Sequence, residues 1–593
     1  MRNWEKGFKK RTSWIASLFV IAFIALIGNL FELQVIRHSY YKKIVEKMTV
    51  KKKEIQPHRG TIYDRKQRVL AVELLGGSIF LRPDEVKDAN LLMCKLSPAL
   101  SLKEDDLIKK LLGPNSVVAL KRNINYTTFQ KVKKIVEDYN ISGIELQVER
   151  KRVYPNGYLL SHVLGFLDID QNPLEGCERV FDRYLGGKKG IIESAYDVRG
   201  NPIPNLTKVI QNPQDGDNII LTINLDIQRI VEEELDKAYQ QLKPQCAIAI
   251  VMDPRNGDIL ALANRPTFDP NEQAKYPNAW KRNRAATDVY EVGSVLKPII
   301  IASALQEGII TPSSRFYCSG KLKVNNRTIS CVVHHSGGHG SVNPEKIIEV
   351  SCNVGAAQVG LKMGAKRLYE TLKKFGFDKP ITDEILGAAP GMIPPLKDWD
   401  SVRIANVSFG QGVAITPLHL ISAFCSLVNG GILYKPRILK AVVQNDGKIR
   451  TFKPEVISQP ISPEVSNLIR NMMEKVVSGK EGTARNYANI EGIKVGGKTG
   501  TAQKVINGVF TDEVVASFVG FLPVSNPRLV ILVLIDQPQT NRWGATAAAP
   551  VFKQIAKRSL ACLGINPQLT QTTLNTLQAV APQRSHSFEK NQQ

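Results

Sequence analysis

The sequence predicts a membrane-anchored protein of the α/β (α+β) class. We expect a single N-terminal transmembrane helix, a mixed α/β region and a larger domain in which a sheet packs between helices. Three observations support this fold class: an uncharged segment over 12–31, a strand–helix–hairpin pattern over 219–263, and two apolar strands followed by a helix over 514–563. The 593 residues are too many for one ordinary domain. The 43% hydrophobic and 23% charged residues exclude both a disordered chain and a multi-span membrane protein.

The membrane anchor is the first predicted element. No charged residue occurs over 12–31, and a helix needs about 20 apolar residues to span the hydrocarbon core. No A-x-A cleavage site follows the apolar run, so the sequence favours an uncleaved anchor over a signal peptide. Both flanks are basic, and the positive-inside rule therefore gives no orientation. We predict a short tail over 1–11 and a transmembrane anchor over 12–36.

The remaining elements follow in chain order. Short apolar runs punctuated by Gly and Pro predict a mixed α/β domain over 40–215. A second domain is predicted over 216–563, and a polar tail over 564–593 is predicted to be disordered. The elements predicted in the second domain are a strand over 219–223, an amphipathic helix over 226–242, a hairpin of strands 246–252 and 259–263, strands over 514–522 and 529–536, and a helix over 547–563.

The net charge narrows the classes of partner. Lys and Arg number 79 against 55 Asp and Glu, which gives a formal net charge of +24. Such a balance favours an acidic partner, either nucleic acid, an anionic membrane surface or a carboxylate-bearing substrate. No RNP-type aromatic strand, zinc-finger spacing or helix-turn-helix pattern occurs in the sequence, so we predict no nucleic-acid binding.

Three short motifs carry the candidate chemistry: Ser-Val-Leu-Lys at 294–297, Ser-Cys-Asn at 351–353 and Lys-Thr-Gly at 498–500. Such a set occurs in class A β-lactamases and penicillin-binding proteins. Each motif alone is weak, because a helix cap, a turn or the end of a strand would explain it. Ser-x-x-Lys also occurs at Ser39 and Ser587, but only the set that begins at Ser294 contains all three motifs in order.

The first motif predicts a serine nucleophile and its base. At positions i and i+3 of a helix, Ser294 and Lys297 share one face and come within hydrogen-bonding reach. A glycine before Ser294 and a helix over 299–305 place the serine at a helix N-terminus, whose dipole favours negative charge. A serine hydroxyl needs a base to become a nucleophile. Lys297 can act as that base if burial and a second cation, Lys498, keep it partly neutral.

The second motif predicts the opposite wall of the site. We expect Ser351 to relay a proton and Asn353 to orient the lysine base or the substrate. The catalytic residues predicted from the first two motifs and Lys498 are therefore Ser294, Lys297, Ser351, Asn353 and Lys498.

The third motif predicts the substrate-binding residues. Lys498 and the hydroxyls of Thr499 and Thr501 would hold a terminal carboxylate. Gly500, on a strand, is expected to let a peptide substrate approach the backbone closely. The backbone N–H groups of Ser294 and Thr501 are candidate oxyanion donors.

Further motifs extend the pattern from about Arg59 to Phe552. They lie at 59–65 with 70–71, 152–155 with 162–166, 175–178 with 185–190, 283–294, 409–417 and 429–431. With them, the sequence resembles a class B penicillin-binding protein, a monofunctional peptidoglycan D,D-transpeptidase. It departs from the family pattern at Lys66-Gln67, Val292 and His419, where Asn-Gly, Pro and Gln are usual.

The resemblance implies a fold and a reaction. The implied fold is a pedestal (dimerisation-type) domain over 40–215 and a transpeptidase domain over 216–563, with an antiparallel sheet between helices as in serine β-lactamases. Ser294 would attack a D-Ala-D-Ala stem peptide, release the terminal D-Ala and pass the acyl group to an amine of a neighbouring stem. A D,D-carboxypeptidase side activity is compatible with this chemistry. The family requires no cofactor and no metal.

The resemblance also implies a location and partners. The family's substrate is built outside the cytoplasmic membrane, which implies a single-pass inner-membrane protein with residues 1–11 in the cytoplasm and the catalytic domain outside. The implied partners are stem peptides on lipid-linked or nascent glycan, β-lactams as covalent inhibitors, a membrane-embedded glycan polymerase and other division proteins.

Two branches of the family fit different parts of the sequence. The stretches 283–297 and 517–536 resemble the septal, cell-division type, and on this basis we predict septal wall synthesis. Cys318 and Cys331 before His339, followed by the motif at 351–353, resemble some elongation-type members. The first alternative is therefore an elongation-type transpeptidase. Outside these two branches, the alternatives are a β-lactam sensor or hydrolase and a division scaffold whose enzymatic role is secondary.

The eight cysteines are too few for a disulfide scaffold. Cys318 and Cys331 have 12 residues between them and are a candidate disulfide in an oxidising exterior, although the sequence does not decide whether they pair. A zinc site that adds His334, His335 or His339 is the alternative, but the spacing matches no standard pattern. We therefore predict no metal site, and free buried thiols for the other six cysteines.

Overall fold

The computed structural model describes residues 2–196, 202–506 and 509–565. The chain divides into two compact units, one formed by the residues up to Arg59 with Gly186–Gly216 and the other by Gly60–Leu185 with the residues from Asp217 onward. Most of the predicted tail, 566–593, lies outside the described residues. The tail and the exact domain limits therefore stay predictions.

The first unit contains the predicted apolar N-terminal helix. The helix Arg2–Phe31 continues into a π-helical segment, Glu32–Ile36. The part of this continuous helical segment over Lys9–Ile36 is long and apolar enough to cross a membrane, and it is the one such helix among the described residues. A further helix, His38–Thr49, leads into a three-stranded antiparallel sheet. In spatial order the strands of this sheet are Val50–Ile55, Gly190–Tyr196 and Pro202–Gln211.

The main sheet of the second unit is five-stranded and antiparallel throughout. In spatial order its strands are Asp258–Arg265, Cys246–Asp253, Leu529–Asp536, Val509–Leu522 and Gly496–Ile506. Every residue of Cys246–Asp253 is buried, so both faces of the sheet are covered. The helices Leu225–Leu242 and Ala549–Cys562 pack on each other and on the sheet, and Pro417–Val428 packs on its central strands. The predicted fold class, an antiparallel sheet between helices, is confirmed.

A second sheet in the same unit has seven strands. Its strands are Ile449–Thr451, Leu439–Val443, Asn218–Leu221, Ile62–Tyr63 and Val69–Leu81, with Val118–Asn125 and Ile144–Val153 both paired to Val69–Leu81. Three helices lie at the end of the long strand and form a separate small core that includes Leu96 and Phe129. These helices are Ala89–Leu100, Glu104–Leu111 and Tyr126–Asp138.

The other described elements of the second unit are short, except for the helices Asn353–Lys374 and Pro463–Ser478. The α-helices are Ser161–Leu164, Gly176–Val180, Asp182–Leu185, Asn278–Lys281, Arg284–Thr287, Lys297–Gln306, Pro344–Glu349, Asn353–Lys374, Ser401–Val407, Pro463–Ser478, Arg485–Ala488 and Gly544–Ala547. The 3-10 helices are Pro83–Glu85, Pro270–Lys275, Gly293–Leu296, His334–Ser336 and Leu396–Asp398. Four two-stranded pairs complete the unit: Tyr290–Glu291 with Ala414–Ile415, Phe316–Cys318 with Gly340–Val342, Lys321–Val324 with Arg327–Ser330, and Leu433–Tyr434 with Val456–Ser458.

Candidate active site

Ser294 lies in the 3-10 helix Gly293–Leu296, which runs directly into the α-helix Lys297–Gln306. The backbone at Gly293 has φ +60°, and a Cβ there would lie 3.3 Å from the carbonyl oxygen of Thr501. A glycine is therefore favoured where the nucleophile segment approaches the edge strand of the main sheet. The structure places Ser294 at the start of the helical segment, as the sequence predicts.

Lys297 lies one turn after Ser294 and is completely buried. Its Nζ donates a hydrogen bond to Ser294 Oγ at 3.0 Å. The same nitrogen donates to Ser351 O at 2.6 Å, to Ser351 Oγ at 3.2 Å and to Asn353 Oδ1 at 2.7 Å. Burial lowers the pKa of Lys297 from its usual value to about 8. At pH 7 roughly one-tenth of the amine is therefore neutral and able to act as a general base.

Ser351 lies between the helices Pro344–Glu349 and Asn353–Lys374, with its backbone in the left-handed region at φ +58°. Its hydroxyl accepts hydrogen bonds from two lysines, since Lys498 Nζ lies 2.9 Å from Ser351 Oγ. Lys498 is also completely buried. Burial, followed by the positive charge of Lys297, lowers the pKa of Lys498 well below its usual value. The Ser351 hydroxyl thus connects two amines that can exchange a proton.

The edge strand Gly496–Ile506 provides Lys498, Thr499, Gly500 and Thr501. Lys498 Nζ donates to Thr499 O at 2.9 Å, and Thr501 Oγ1 accepts a hydrogen bond from the Gly544 N–H at 3.0 Å. The strand pairs on one side with Val509–Leu522, and no described strand pairs with its other edge within the main sheet. The hydrogen bonds of Lys498 and Thr501 hold these side chains in place on a strand that lies next to the segment containing Ser294.

The structure gives a packing reason for glycine at position 500. A Cβ at Gly500 would lie 2.5 Å from Ser517 Oγ and 3.0 Å from Val295 Cγ1, both of which belong to the protein itself. Tight packing between the strand and the nucleophile segment therefore requires the absence of a side chain here, and the role of Gly500 in the approach of a substrate stays a prediction.

Sequence reasoning missed Thr483. Its hydroxyl lies 3.0 Å from Thr499 Oγ1 and fixes the position of that side chain. Thr483 lies in the loop before the short helix Arg485–Ala488, and no motif that we recognised includes it. Only the folded structure brings this residue to the site.

The candidate disulfide between Cys318 and Cys331 is not formed in the structure, where all eight cysteines are free thiols. Both sulfurs instead face the same imidazole nitrogen, His339 Nδ1. Cys352 is a free buried thiol, as predicted, and its Sγ lies 3.8 Å from Cys331 Sγ. The fold thus brings the three sulfurs and the His339 imidazole together.

The predicted site residues come together from three separate segments, 294–297, 351–353 and 498–501. Ser294 Oγ, two buried amines, a bridging hydroxyl and the Asn353 amide form one continuous hydrogen-bonded group. Chemically, such a group can activate a serine for attack on a carbonyl and can return the proton to a leaving amine.

Comparison with known proteins agrees with this chemistry. The chain matches the family described as "Penicillin binding protein transpeptidase domain" over residues 247–557, and the "Penicillin-binding Protein dimerisation domain" over 54–221. It is 33% identical to Stage V sporulation protein D of Bacillus subtilis, over 96% of this chain and 88% of that protein. It is 29% identical to the peptidoglycan D,D-transpeptidase FtsI of Escherichia coli, over 95% of this chain and 93% of that protein. The crystal structure of penicillin binding protein 2X from Streptococcus thermophilus aligns with a TM-score of 0.70 and 26% identity, over 86% of this chain and 80% of the other.

Proposed function

This chain belongs to the class B penicillin-binding proteins and is a peptidoglycan D,D-transpeptidase, and on that premise we propose that Ser294 is its acylated residue and septal wall synthesis its cellular role. The observation that supports the assignment of Ser294 is its 3.0 Å hydrogen bond from the buried amine of Lys297. Among the described residues, this pair joins the other two motifs in one hydrogen-bonded group.

In the proposed acylation, neutral Lys297 Nζ takes the proton of Ser294 as Oγ attacks the carbonyl of the penultimate D-Ala. The bond to the terminal D-Ala then breaks, and its amine receives a proton through the Ser351 hydroxyl. Ser351 is suited to this relay because its Oγ lies 3.2 Å from Lys297 Nζ and 2.9 Å from Lys498 Nζ. Asn353, which accepts a hydrogen bond from Lys297, holds the base in position.

The same groups act in reverse when the acceptor amine attacks the acyl-enzyme. That amine loses a proton to the relay, and Ser294 regains one as the peptide bond forms. The products are a cross-linked stem peptide and the free serine. The backbone N–H groups of Ser294 and Thr501 are the proposed donors to the oxyanion in both steps.

We further propose that the donor peptide extends along the free edge of Gly496–Ile506. An exposed sheet edge binds an extended peptide through backbone hydrogen bonds. Lys498, Thr499 and Thr501 then provide a cation and hydroxyls for the terminal carboxylate of the donor. A β-lactam, which carries an equivalent carboxylate beside its reactive carbonyl, is expected to bind in the same place.

Location and partners complete the proposal. The helix Lys9–Ile36 supports a single membrane span. Because stem peptides are cross-linked outside the membrane, we propose that the N-terminus lies inside and the catalytic domain outside. A membrane-embedded glycan polymerase and other division proteins are the proposed partners, by analogy with the family.

The assignment of Ser294 is tested by labelling membranes that contain the full chain with a fluorescent penicillin. We expect a stable band for the parent and for Ser39→Ala, which removes the other N-terminal Ser-x-x-Lys serine. The band should be lost in Ser294→Ala. Persistent labelling of Ser294→Ala would refute the assignment, and rapid loss of label with nitrocefin turnover would indicate a hydrolase.

The division role is tested by depleting the protein in a bacterium that encodes it. Filamentous cells are expected, because septal cross-linking fails while elongation continues. Round or widened cells would instead support the elongation-type alternative. Rescue of the depleted cells by Ser294→Ala would show that the protein acts as a scaffold.

A further inference from the structure

A polar cleft lies at one end of the main sheet, outside the hydrogen-bonded group of the active site. It has a volume of about 270 Å³, and its polar lining residues are Asp512, Glu513, Gln537, Gln539 and Arg542. They come from the strand Val509–Leu522 and from the loop that follows the strand Leu529–Asp536. Ligand sites are typically concave, with converging polar groups that fix the orientation of the ligand.

Two opposite charges in this cleft are unpaired. Within the part of the chain that the structure describes, neither the Arg542 guanidinium nor the Asp512 carboxylate has a hydrogen-bond or ion-pair partner. A ligand that carries both a carboxylate and an ammonium group would pair with Arg542 and Asp512 at the same time. A ligand with only one charge would leave one of these two side chains unpaired.

Other charges beside the cleft already have partners. The Glu513 carboxylate accepts a hydrogen bond from the Gln537 side chain. Lys504, on the neighbouring strand, has its Nζ 3.0 Å from a carboxylate oxygen of Asp536. The charges left for a ligand are therefore one guanidinium and one carboxylate.

The loop side of the cleft is fixed by backbone hydrogen bonds. The Gln537 N–H donates to Val514 O at 2.9 Å, and the Gln539 N–H donates to Leu242 O at 2.9 Å. Farther along the same loop, the Gly544 N–H donates to Thr501 Oγ1 at 3.0 Å. The cleft is therefore formed before a ligand binds, and its loop is joined to the strand on which the donor carboxylate is proposed to bind.

The register of the sheet places the cleft beside the path of the donor peptide. Residues 498–499 are proposed to hold the terminal carboxylate and the Thr501 N–H the oxyanion, so the peptide before the scissile bond continues toward Gln503. Gln503 is the cross-strand partner of Val514, which also lines the cleft. Because side chains alternate along a strand, Thr501 and Gln503 point to the same face of the sheet, where the Gly544 N–H contacts Thr501.

The strand spacing selects the donor residue that can reach the cleft. Neighbouring strands lie about 4.8 Å apart, so the cleft is about two strand spacings from the backbone of a donor paired to the free edge. A long side chain on the residue before D-Ala-D-Ala spans that gap. We propose that the cleft binds this side chain, and that the side chain ends in an amino acid group, with an ammonium and a carboxylate on one carbon.

In this arrangement Arg542 binds the carboxylate of the side chain and Asp512 binds its ammonium group. The inference rests on the proposed function, because it names the donor that the same active site accepts. Arg542 and Asp512 are then residues that determine specificity, and they lie apart from the groups that transfer protons.

Cephalosporins with one ring system and one leaving group test the inference on the full chain in detergent. In a β-lactam, the acyl side chain takes the place of the donor residue before D-Ala-D-Ala. Cephalosporin C has a side chain that ends in an ammonium and a carboxylate, the glutaryl analogue has the carboxylate alone, and the 5-aminopentanoyl analogue has the ammonium alone. The second-order rate constant for acylation of Ser294 is measured for each by competition with a fluorescent penicillin.

For the parent, we expect cephalosporin C to react at least about threefold faster than either analogue, which is the size of one exposed ion pair. This comparison requires no variant. Equal rates for the three compounds, or a faster reaction of either analogue, would overturn the proposal.

Variants assign the preference to the two charges. Arg542→Gln should abolish the preference over the 5-aminopentanoyl analogue, and Asp512→Asn the preference over the glutaryl analogue. The matched control is Arg450→Gln, which removes an exposed guanidinium from the strand Ile449–Thr451 of the other sheet and should retain both preferences. Preferences that survive the two cleft substitutions would show that the ligand group binds elsewhere.

The outcomes separate this inference from the proposed function. If benzylpenicillin acylates Ser294 but the three cephalosporins react at equal rates, the assignment of Ser294 stands and the cleft does not select the donor. If the adduct lies on another residue, or no β-lactam reacts with the folded chain, the proposed function fails and this inference fails with it.

Discussion

Substituting Asn353 with aspartate tests the role of Lys297 as the base. The Asn353 Oδ1 atom accepts a hydrogen bond from Lys297 Nζ at 2.7 Å, so Asn353→Asp would place a negative charge in contact with the amine. With a pKa of about 8, roughly one-tenth of Lys297 is neutral at pH 7. A carboxylate at this distance typically raises the pKa of a neighbouring base by about 1–3 units.

The expected result is a displaced pH profile. Because acylation requires the neutral amine, the parent rate should rise about tenfold per pH unit below 8 and level off above it. The neutral fraction of Asn353→Asp at pH 7 should be about 10- to 1,000-fold lower, since each pKa unit is one factor of ten. Its rate should recover at higher pH as Lys297 finally loses its proton.

The assay is the second-order rate constant for acylation by a fluorescent penicillin between pH 6 and 10. The control is Asn325→Asp, which adds the same charge in the exposed turn between the strands Lys321–Val324 and Arg327–Ser330 and should leave the profile unchanged. A variant with the parent's inflection near pH 8 would show that Lys297 is not the titrating base. A uniform loss of rate at all pH values would indicate a distorted site instead.

Three further substitutions test buried contacts, two at the site and one at the ion pair of Arg265 with Glu232 elsewhere in the second unit. Gly500→Ala should lower stability by about 1–3 kcal/mol through overpacking, because its Cβ would lie 2.5 Å from Ser517 Oγ; thermal melting measures this, and an unchanged midpoint contradicts it. Arg265→Met should destabilise by about 3–5 kcal/mol in urea unfolding, because the buried guanidinium binds a buried carboxylate at 2.6 Å; a loss below 1 kcal/mol would refute the reasoning. Thr483→Val should slow acylation several-fold without lowering the melting temperature by more than a few degrees, because it removes the partner of Thr499 at 3.0 Å; parent-like kinetics would show that this contact is dispensable.

Much of the main sheet could be predicted from local sequence patterns. The strand predicted over 529–536 is observed at Leu529–Asp536, and the predicted hairpin is observed at Cys246–Asp253 and Asp258–Arg265. The helix predicted over 226–242 begins one residue earlier, at Leu225, where the side chain of Asn224 accepts a hydrogen bond from the Asp226 N–H. These elements combine strong apolar periodicity with clear turn or cap residues, so local and tertiary preferences agree.

Other boundaries depend on tertiary contacts that periodicity does not contain. The strand predicted over 514–522 begins at Val509, because its polar first half pairs with Gly496–Ile506. The strand predicted over 219–223 ends at Leu221, where its pairing with Leu439–Val443 begins. In both cases the partner strand, rather than the hydrophobic pattern, determines the length.

The site shows the same division between local and long-range information. The pairing of Ser294 with Lys297 follows from helical spacing and was predictable. The contact of Thr483 with Thr499 and the meeting of Cys352 with Cys331 join residues far apart in the chain. No local pattern places such residues together, and for this reason the sequence left open whether Cys318 and Cys331 form a disulfide, whereas the structure has both as free thiols.

The most direct measurement of the central claim is peptide mapping of the full chain after reaction with a β-lactam. Mass spectrometry of the intact protein should show one added inhibitor, and fragmentation of the proteolytic peptides should locate it on Ser294. We expect no adduct in Lys297→Ala under the same conditions, because the hydroxyl then lacks the base that lies 3.0 Å away. An adduct on any other residue, or none on a folded parent, would contradict the account.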